Sequence, residues 1–349
     1  MNNNLVISID AMGGDHSPRV VIEGLAIAAK KNQDINFLLF GDETKVTPIL
    51  NQYPDLKKVC ELRHAPEMVH NEDKPSQVIR NRNTSMFMAI DAVRKGEAQA
   101  IVSAGNTGAL MAISKLVLKT IQKIHRPAIV SIMPHYSGKY VMLDLGANTE
   151  CSAINLAEFA LMGDILARHA LGIEKPKVAL LNIGAEEMKG KEEIRQAAQL
   201  IKNSSMNIDF RGYVEPHEIP NGVADVIVSD GFTGNIALKS TEGTARLVIK
   251  MVKNAIKNSF WAKLGLPFMM GVILKIKKTM DPRLYNGAMF VGLNGLSVKS
   301  HGGTDALGFS VAVSNAASLV RRNFVATIRS EVEKVDLDEL SQEAIYDVY

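Results

Sequence analysis

Several residue types and motifs that would announce a function are scarce or missing. The chain of 349 residues has two cysteines, Cys60 and Cys151, too few for a disulfide scaffold and without the C-x-x-C spacing of a zinc or redox site. That usage fits a reducing cytoplasm. The eight histidines are scattered, and neither H-E-x-x-H nor G-x-S-x-G occurs, so a zinc hydrolase and a nucleophile-elbow serine hydrolase are both unsupported. No G-x-G-x-x-G follows a strand-like run, which argues against a dinucleotide site. A P-loop is missing too. In "GAEEMKGKEE" five residues separate Gly184 from Gly190, one more than the motif has, and Lys191 is followed by Glu192 where Ser or Thr would hold magnesium. The start, "MNNNLVISID", has no basic stretch leading into a long apolar run, so a secretory signal is not expected. Acid is missing from one region. Between Glu242 and Asp281 stand eight bases and no carboxylate, so a net charge of +3 leaves −5 on the rest of the chain. A basic segment on an acidic body predicts a local anionic partner, not general nucleic-acid binding.

What is present is an apolar majority in a repeated order. With 46% hydrophobic residues the chain can bury a large core. An apolar β-rich run, a glycine loop and a helix-periodic stretch recur, in "NLVISIDAMGGDHSPRVVIEGLAIAAKK", "AQAIVSAGNTGALMAISKLVLKT", "YVMLDLGANTECSAINLAEFALMGDILARHALG", "KVALLNIGAEEMKGKEEIRQAAQLIKN" and "ADVIVSDGFTGNIALKSTEGTARLVIKMV". This order predicts an α/β fold with a mostly parallel sheet flanked by helices on both faces. No linker divides it. One body over residues 1–330 is expected, with a helical hairpin inserted at 244–280 and an acidic tail at 331–349. Parallel strands would bring the glycine loops together at one edge of the sheet.

Two of those loops are near-copies. Aligning Ser103 with Ser229 places Gly105 on Gly231, Thr107 on Thr233 and Gly108 on Gly234, a shared V-S-x-G-x-T-G. A strand that ends in glycine and runs through Thr-Gly into a helix leaves N–H groups at the positive end of the helix, a place for an anion. Thr107 and Thr233 can add hydroxyls, Asn106 and Asn235 amides. The neighbouring "DAMGGD" (Asp10, Gly13, Gly14, Asp15) and "LDLGAN" (Asp144, Asn148) sit at expected strand ends, where they could contact a ligand or fix the loop. Phosphate-type loops without a covalent nucleophile suit a reaction in which bound phosphate attacks. Lys189, in a loop after a strand, is a candidate cation beside phosphate or an oxyanion. Asp230 stands among these amides where Ala104 stands in the first loop, and it could take a proton, orient a donor or cap the helix.

In chain order, "ISIDAMGGDHSP", "SAGNTGALM", "LDLGAN", "LLNIGAEEMKGKE", "VSDGFTGNIALK" and "SHGGTDALGF" resemble the signature blocks of the PlsX phosphate acyltransferases, over roughly residues 5 to 325. The resemblance implies transfer of a long-chain fatty acyl group from acyl carrier protein to inorganic phosphate. The acyl phosphate would then serve phospholipid synthesis through a membrane glycerol-3-phosphate acyltransferase. It implies a phosphotransacetylase-like fold, a homodimer, and no cofactor or metal. Lys189 and Asp230 become expected catalytic residues. Ser76, Arg80 and Ser85, together with Asp10, Gly13, Gly14, Asp15, His16, Asn106, Thr107, Gly108, Asn148, Gly231, Thr233, Gly234, Asn235, His301 and Gly302, become expected substrate contacts. Two other functions stay open: a transferase using a short acyl group on coenzyme A, and a scaffold that only binds carrier protein.

The basic segment carries an apolar stripe at helical spacing, Ile249, Val252, Ile256, Phe260 and Leu264, and then an apolar run from Leu266 to Leu274. Nine residues at about 1.5 Å each reach about 14 Å, short of the roughly 30 Å hydrocarbon core. Such a hairpin cannot span a bilayer. It can dip into the interface through Leu264, Leu266, Phe268 and Met269, with lysines meeting anionic lipid. A dimer contact, a core helix pair or a dock for acidic carrier protein are the alternatives. The membrane reading predicts a cytoplasmic protein bound peripherally to the inner face of the membrane.

Overall fold

The computed structural model describes residues 5–262, 265, 268–271, 274 and 281–335. Eleven strands are described: β1 (Leu5–Asp10), β2 (Ile35–Gly41), β3 (Cys60–His64), β4 (Ala100–Ser103), β5 (Ala128–His135), β6 (Gly138–Leu143), β7 (Lys177–Leu181), β8 (Asp209–Val214), β9 (Val226–Val228), β10 (Ala288–Val291) and β11 (Leu296–Lys299). They form one sheet in the order β3-β2-β1-β4-β11-β10-β5-β6-β9-β7-β8. Strands such as β4 and β9 are buried at every position, because helices cover both faces of the sheet. Residues alternate between two cores. Ile7, Ile9, Val102, Val298 and Val228 face the helices Arg19–Lys31, Ala153–Leu166 and Ala306–Arg321, while Ile101, Phe290 and Ile227 share the other core with the helices Ser85–Arg94 and Thr107–Leu118.

The expected α/β class holds, but the sheet is not parallel throughout. The ladders β11–β10, β10–β5 and β5–β6 are antiparallel, and the other seven are parallel. Three reversals in succession turn β6, β9, β7 and β8 against β1, β2, β3, β4 and β11. The carboxyl ends of the two groups therefore point to opposite edges of the sheet. This corrects the expectation that the glycine loops meet. The loops after β4 and β9 lie on opposite edges and five strand positions apart, about 24 Å at about 4.8 Å per strand. A strand-loop-helix pattern shows that a unit exists and does not show its direction; the short β10 and the β5–β6 hairpin set that.

The segment expected as an insertion begins inside one continuous helix, Gly231–Asn258, which buries only Gly231 and Gly234 and extends from the body as an arm. Beyond it Phe268 is 91% and Met269 55% exposed, whereas Leu264 and Leu266 lie outside the described residues. Among the described residues no helix is long and apolar enough to cross a membrane. The helix Phe324–Lys334 runs into the stretch read as an acidic tail, of which residues 336–349 lie outside the described residues.

Candidate functional site

Two cradles of related build stand at the two edges. The first gathers the ends of β1, β4 and β11. Asp10, the last residue of β1, is buried and accepts hydrogen bonds from Ser85 Oγ at 2.6 Å and Ser103 Oγ at 2.7 Å. Burial pushes its carboxyl above the ordinary range while those hydroxyls pull it back. Ser85 is thus committed to Asp10. A Cβ at Gly13 would stand 2.5 Å from Asp10 Oδ2 and 2.7 Å from the Gly105 amide, so only glycine lets the two loops close on each other. Gly14 has φ +105°, and the next amide, of Asp15, donates to Gly302 O at 3.0 Å. Asn71 donates to Asp15 Oδ1 at 3.2 Å, and Asn106 Nδ2 donates to Asn71 O at 2.8 Å.

Asn106 also caps the helix Thr107–Leu118, its Oδ1 accepting from the Ala109 amide at 3.0 Å. The amides of Thr107 and Gly108 find no acceptor among the described residues. An open helix end remains, with Pro75 of the turn that carries Ser76 packed over Gly108. Ser76 and Arg80 are exposed, as are His16 and His301 on the loops after β1 and β11. Lys299, at the end of β11, donates from Nζ to Ala104 O at 3.3 Å and, closely, to Ser300 O. Burial pushes this ammonium down to about 8, against the upward pull of Asp10 and Asp15.

The second cradle gathers β6, β9 and β7. Asp144 is buried and accepts the amides of Ile129, Gly146, Ala147 and Asn148 at 2.7 to 3.1 Å, and Asn148 Nδ2 at 2.9 Å. Asn148 Nδ2 also donates to Pro127 O at 2.8 Å, so Asn148 fixes its loop. Gly231 and Gly234 serve close packing. The Gly231 amide donates to Asn148 O at 2.7 Å, and a Cβ there would stand 2.6 Å from that oxygen. At Gly234 a Cβ would collide with Asp144 O, and Asn235 packs over Gly146. Asp230 caps the helix, its Oδ1 accepting from Thr233 N at 2.7 Å and its Oδ2 from Thr233 Oγ1 at 2.9 Å. The cation beside it is Lys191, at 3.4 Å; Lys189 is more than half exposed and lies 3.9 Å from Glu186. Asn182 holds the loop by donating to Gly184 O and Lys189 O, and its Oδ1 finds no partner among the described residues.

The same motif thus folds in two ways. Asp230 is aligned with Ala104, which has nothing to cap with, so the second helix starts at Gly231 and the first two aligned positions later, at Thr107. The second helix thus begins on a carboxylate cap with its first amide bonded to Asn148 O, and the first on the neutral cap Asn106 with its first two amides unpaired among the described residues. Lys299 and Lys191 were not singled out in the sequence. For Lys299 a signal existed, a lysine ending the apolar run "LSVK" directly before "SHGG".

A family model described as fatty acid synthesis protein matches residues 5–327. A phosphate acyltransferase of Rhodospirillum rubrum is 48% identical over 338 residues, 97% of each chain, and one of Paramagnetospirillum magneticum is 49% identical over 342 residues, covering 98% of this chain and 97% of the relative. Among solved structures, a phosphotransacetylase from Streptococcus pyogenes superposes with TM-score 0.60 at 17% identity, covering 95% of this chain and 94% of that one, a likeness of fold. The EutD phosphotransacetylase from Staphylococcus aureus gives TM-score 0.57 at 18% identity, with 91% and 94% covered. With that family model and those relatives matching along nearly its whole length, the chain belongs to the PlsX phosphate acyltransferases.

Proposed function

We propose that the protein transfers a long-chain acyl group from the thioester of acyl carrier protein to inorganic phosphate, releasing carrier protein and an acyl phosphate for phospholipid synthesis. The observation that carries the reading is the open end of the helix Thr107–Leu118, where two unpaired amides stand beside loops that glycine lets close together. Inorganic phosphate binds there through N–H groups and the favourable end of the helix. Held within about 3.5 Å of the thioester carbonyl, one phosphate oxygen attacks the carbon. The tetrahedral oxyanion collapses, the C–S bond breaks, and the departing thiolate takes up a proton. His301 and His16, exposed on the loops after β11 and β1, are the groups we assign to supply that proton. Both cysteine thiols are pushed up to about 12 by burial, so neither is a ready nucleophile.

A second reading puts the reacting groups at the other edge, with Lys189 and Asp230 catalytic. It is favoured by exposed Ile183, Met188, Phe232 and Ile236 around that cradle, an apolar rim suited to an acyl chain. The rim continues along the arm as Leu247 and Met251, with Lys239, Arg246, Lys250, Lys253 and Lys257 on one side of the stripe. The arm would rest on anionic lipid at the inner face of the membrane and deliver acyl phosphate to a membrane glycerol-3-phosphate acyltransferase. Its other apolar side, with Val248 and Val252, would meet a second copy in a homodimer.

The test incubates purified protein with palmitoyl-carrier protein and labelled phosphate. Label should enter an acyl phosphate, and carrier protein should be released only when phosphate is present. Release that needs ATP, or hydrolysis without incorporation of label, would contradict the proposal.

A further inference from the structure

Lys299 closes β11 level with Ser103 and ties the loop after β4 to the loop after β11, through Ala104 O and Ser300 O. Tethering two loops does not by itself call for a charge. In the duplicated half, β7 stands to β9 as β11 stands to β4, and continuing the ladder past Leu180 and Val228 sets Leu181 beside Ser229, where Lys299 stands beside Ser103. Leu181 is buried and apolar, so the sheet closes there without a cation. An ammonium has three donors. Two are used by the carbonyls, and no third acceptor is found among the described residues. Among the described residues no carboxylate lies within ion-pair distance of Lys299; Asp10 and Asp15 act on it from farther off, Asp10 accepting from Ser85 and Ser103 and Asp15 from Asn71. Lys299 is half-buried, and a partly desolvated cation without an ion pair gains from an anion that reaches it.

We propose that Lys299 is the cation that recognises the acceptor phosphate in the first cradle, its two carbonyl bonds aiming the remaining N–H at the anion that the Thr107 and Gly108 amides hold. This rests on the function proposed above. The charged groups facing Lys299 are Asp10 from β1 and Asp15 from the following loop. β4, β10 and the first helical turn bring Ser103, Ala104, Ala288 and Thr107, none of which titrates in this range; the loop after β11 brings His301, and Asp305, which is paired with Arg283. The sign of the pH effect follows. Lys299 carries its charge below about 8 and loses it above, so phosphate affinity falls as pH rises through that value.

The test measures the KM for inorganic phosphate with palmitoyl-carrier protein as donor, from about pH 6.5 to about 9, spanning the Lys299 transition. Lys299→Met should raise that KM by about 10- to 100-fold, the scale of a lost charge-assisted hydrogen bond, with smaller changes in kcat and in the KM for carrier protein. The ratio of wild-type to Lys299→Arg KM, in which the ionisation of phosphate itself cancels, should be flat below about 8 and rise above it, because the wild-type ammonium loses its charge there and guanidinium does not. Lys299→Arg also covers the case in which the methionine variant does not fold. It should bind phosphate within a few-fold of wild type at pH 7 and lack the alkaline loss, because guanidinium stays charged. An unchanged phosphate KM in Lys299→Met, or an alkaline loss that persists in Lys299→Arg, overturns the assignment of Lys299 alone. Wild-type turnover indifferent to phosphate overturns the function reading and this assignment together.

Discussion

Asp230 shows how one residue decides the chemistry of a loop. Its carboxylate accepts two bonds from Thr233 and faces Lys191, so the negative charge favoured at a helix start is supplied by the protein itself. At the first helix the cap is the neutral Asn106, so that helix start receives no negative charge from its cap and favours an anion from outside. On this account Asp230→Ala removes a cap, costs about 1 kcal/mol of stability in thermal or urea unfolding, and leaves turnover within a few-fold. Lys189→Ala, at an exposed side chain, should do less. If instead both variants stay folded and lose about 100-fold or more in turnover, the scale of a lost oxyanion or acid/base group, the reaction belongs to the second cradle. The sequence held the possibility of a cap at Asp230 but could not choose it, because a carboxylate among amides reads alike as cap and as base until its hydrogen bonds are seen.

The helices that follow the two copied motifs differ as elements. Thr107–Leu118 buries Leu110, Ile113 and Val117 under the sheet, whereas Gly231–Asn258 leaves the body after about two turns and exposes Leu247, Val248, Met251 and Val252. Apolar periodicity made the second segment legible as a helix. It could not separate a face packed inside from one turned outward, since both show the same spacing. If the arm and its tip bind lipid, wild-type protein should float with vesicles containing anionic lipid at low salt and dissociate as salt rises, each lysine near the surface contributing about 1 kcal/mol. A Phe268→Glu, Met269→Glu double variant should stay in the soluble fraction. Flotation of that variant equal to wild type, or none by wild type, would assign the exposed apolar residues to contacts with another protein chain.

At the scale of the molecule, the fold is two strand-loop-helix halves joined so that they oppose each other. The units, their glycine loops and the α/β class were legible because parallel strands covered on both faces read as short apolar runs, and glycine and threonine mark their ends. The opposition was not legible. It depends on β10, a four-residue strand that pairs antiparallel with both β11 and β5, and on the β5–β6 hairpin, whose "AIVSIMPH" carries no mark of direction. The expected substrate contacts consequently divide between two edges, and one reacting phosphate can use only one of them. Hydrogen exchange of the amides, followed with and without inorganic phosphate at saturating concentration, measures which edge is used. The account predicts slowed exchange at residues 105–108 and 300–303, with 184–190 and 230–235 unchanged. Slowing confined to 184–190 and 230–235 would contradict it and place the phosphate in the second cradle.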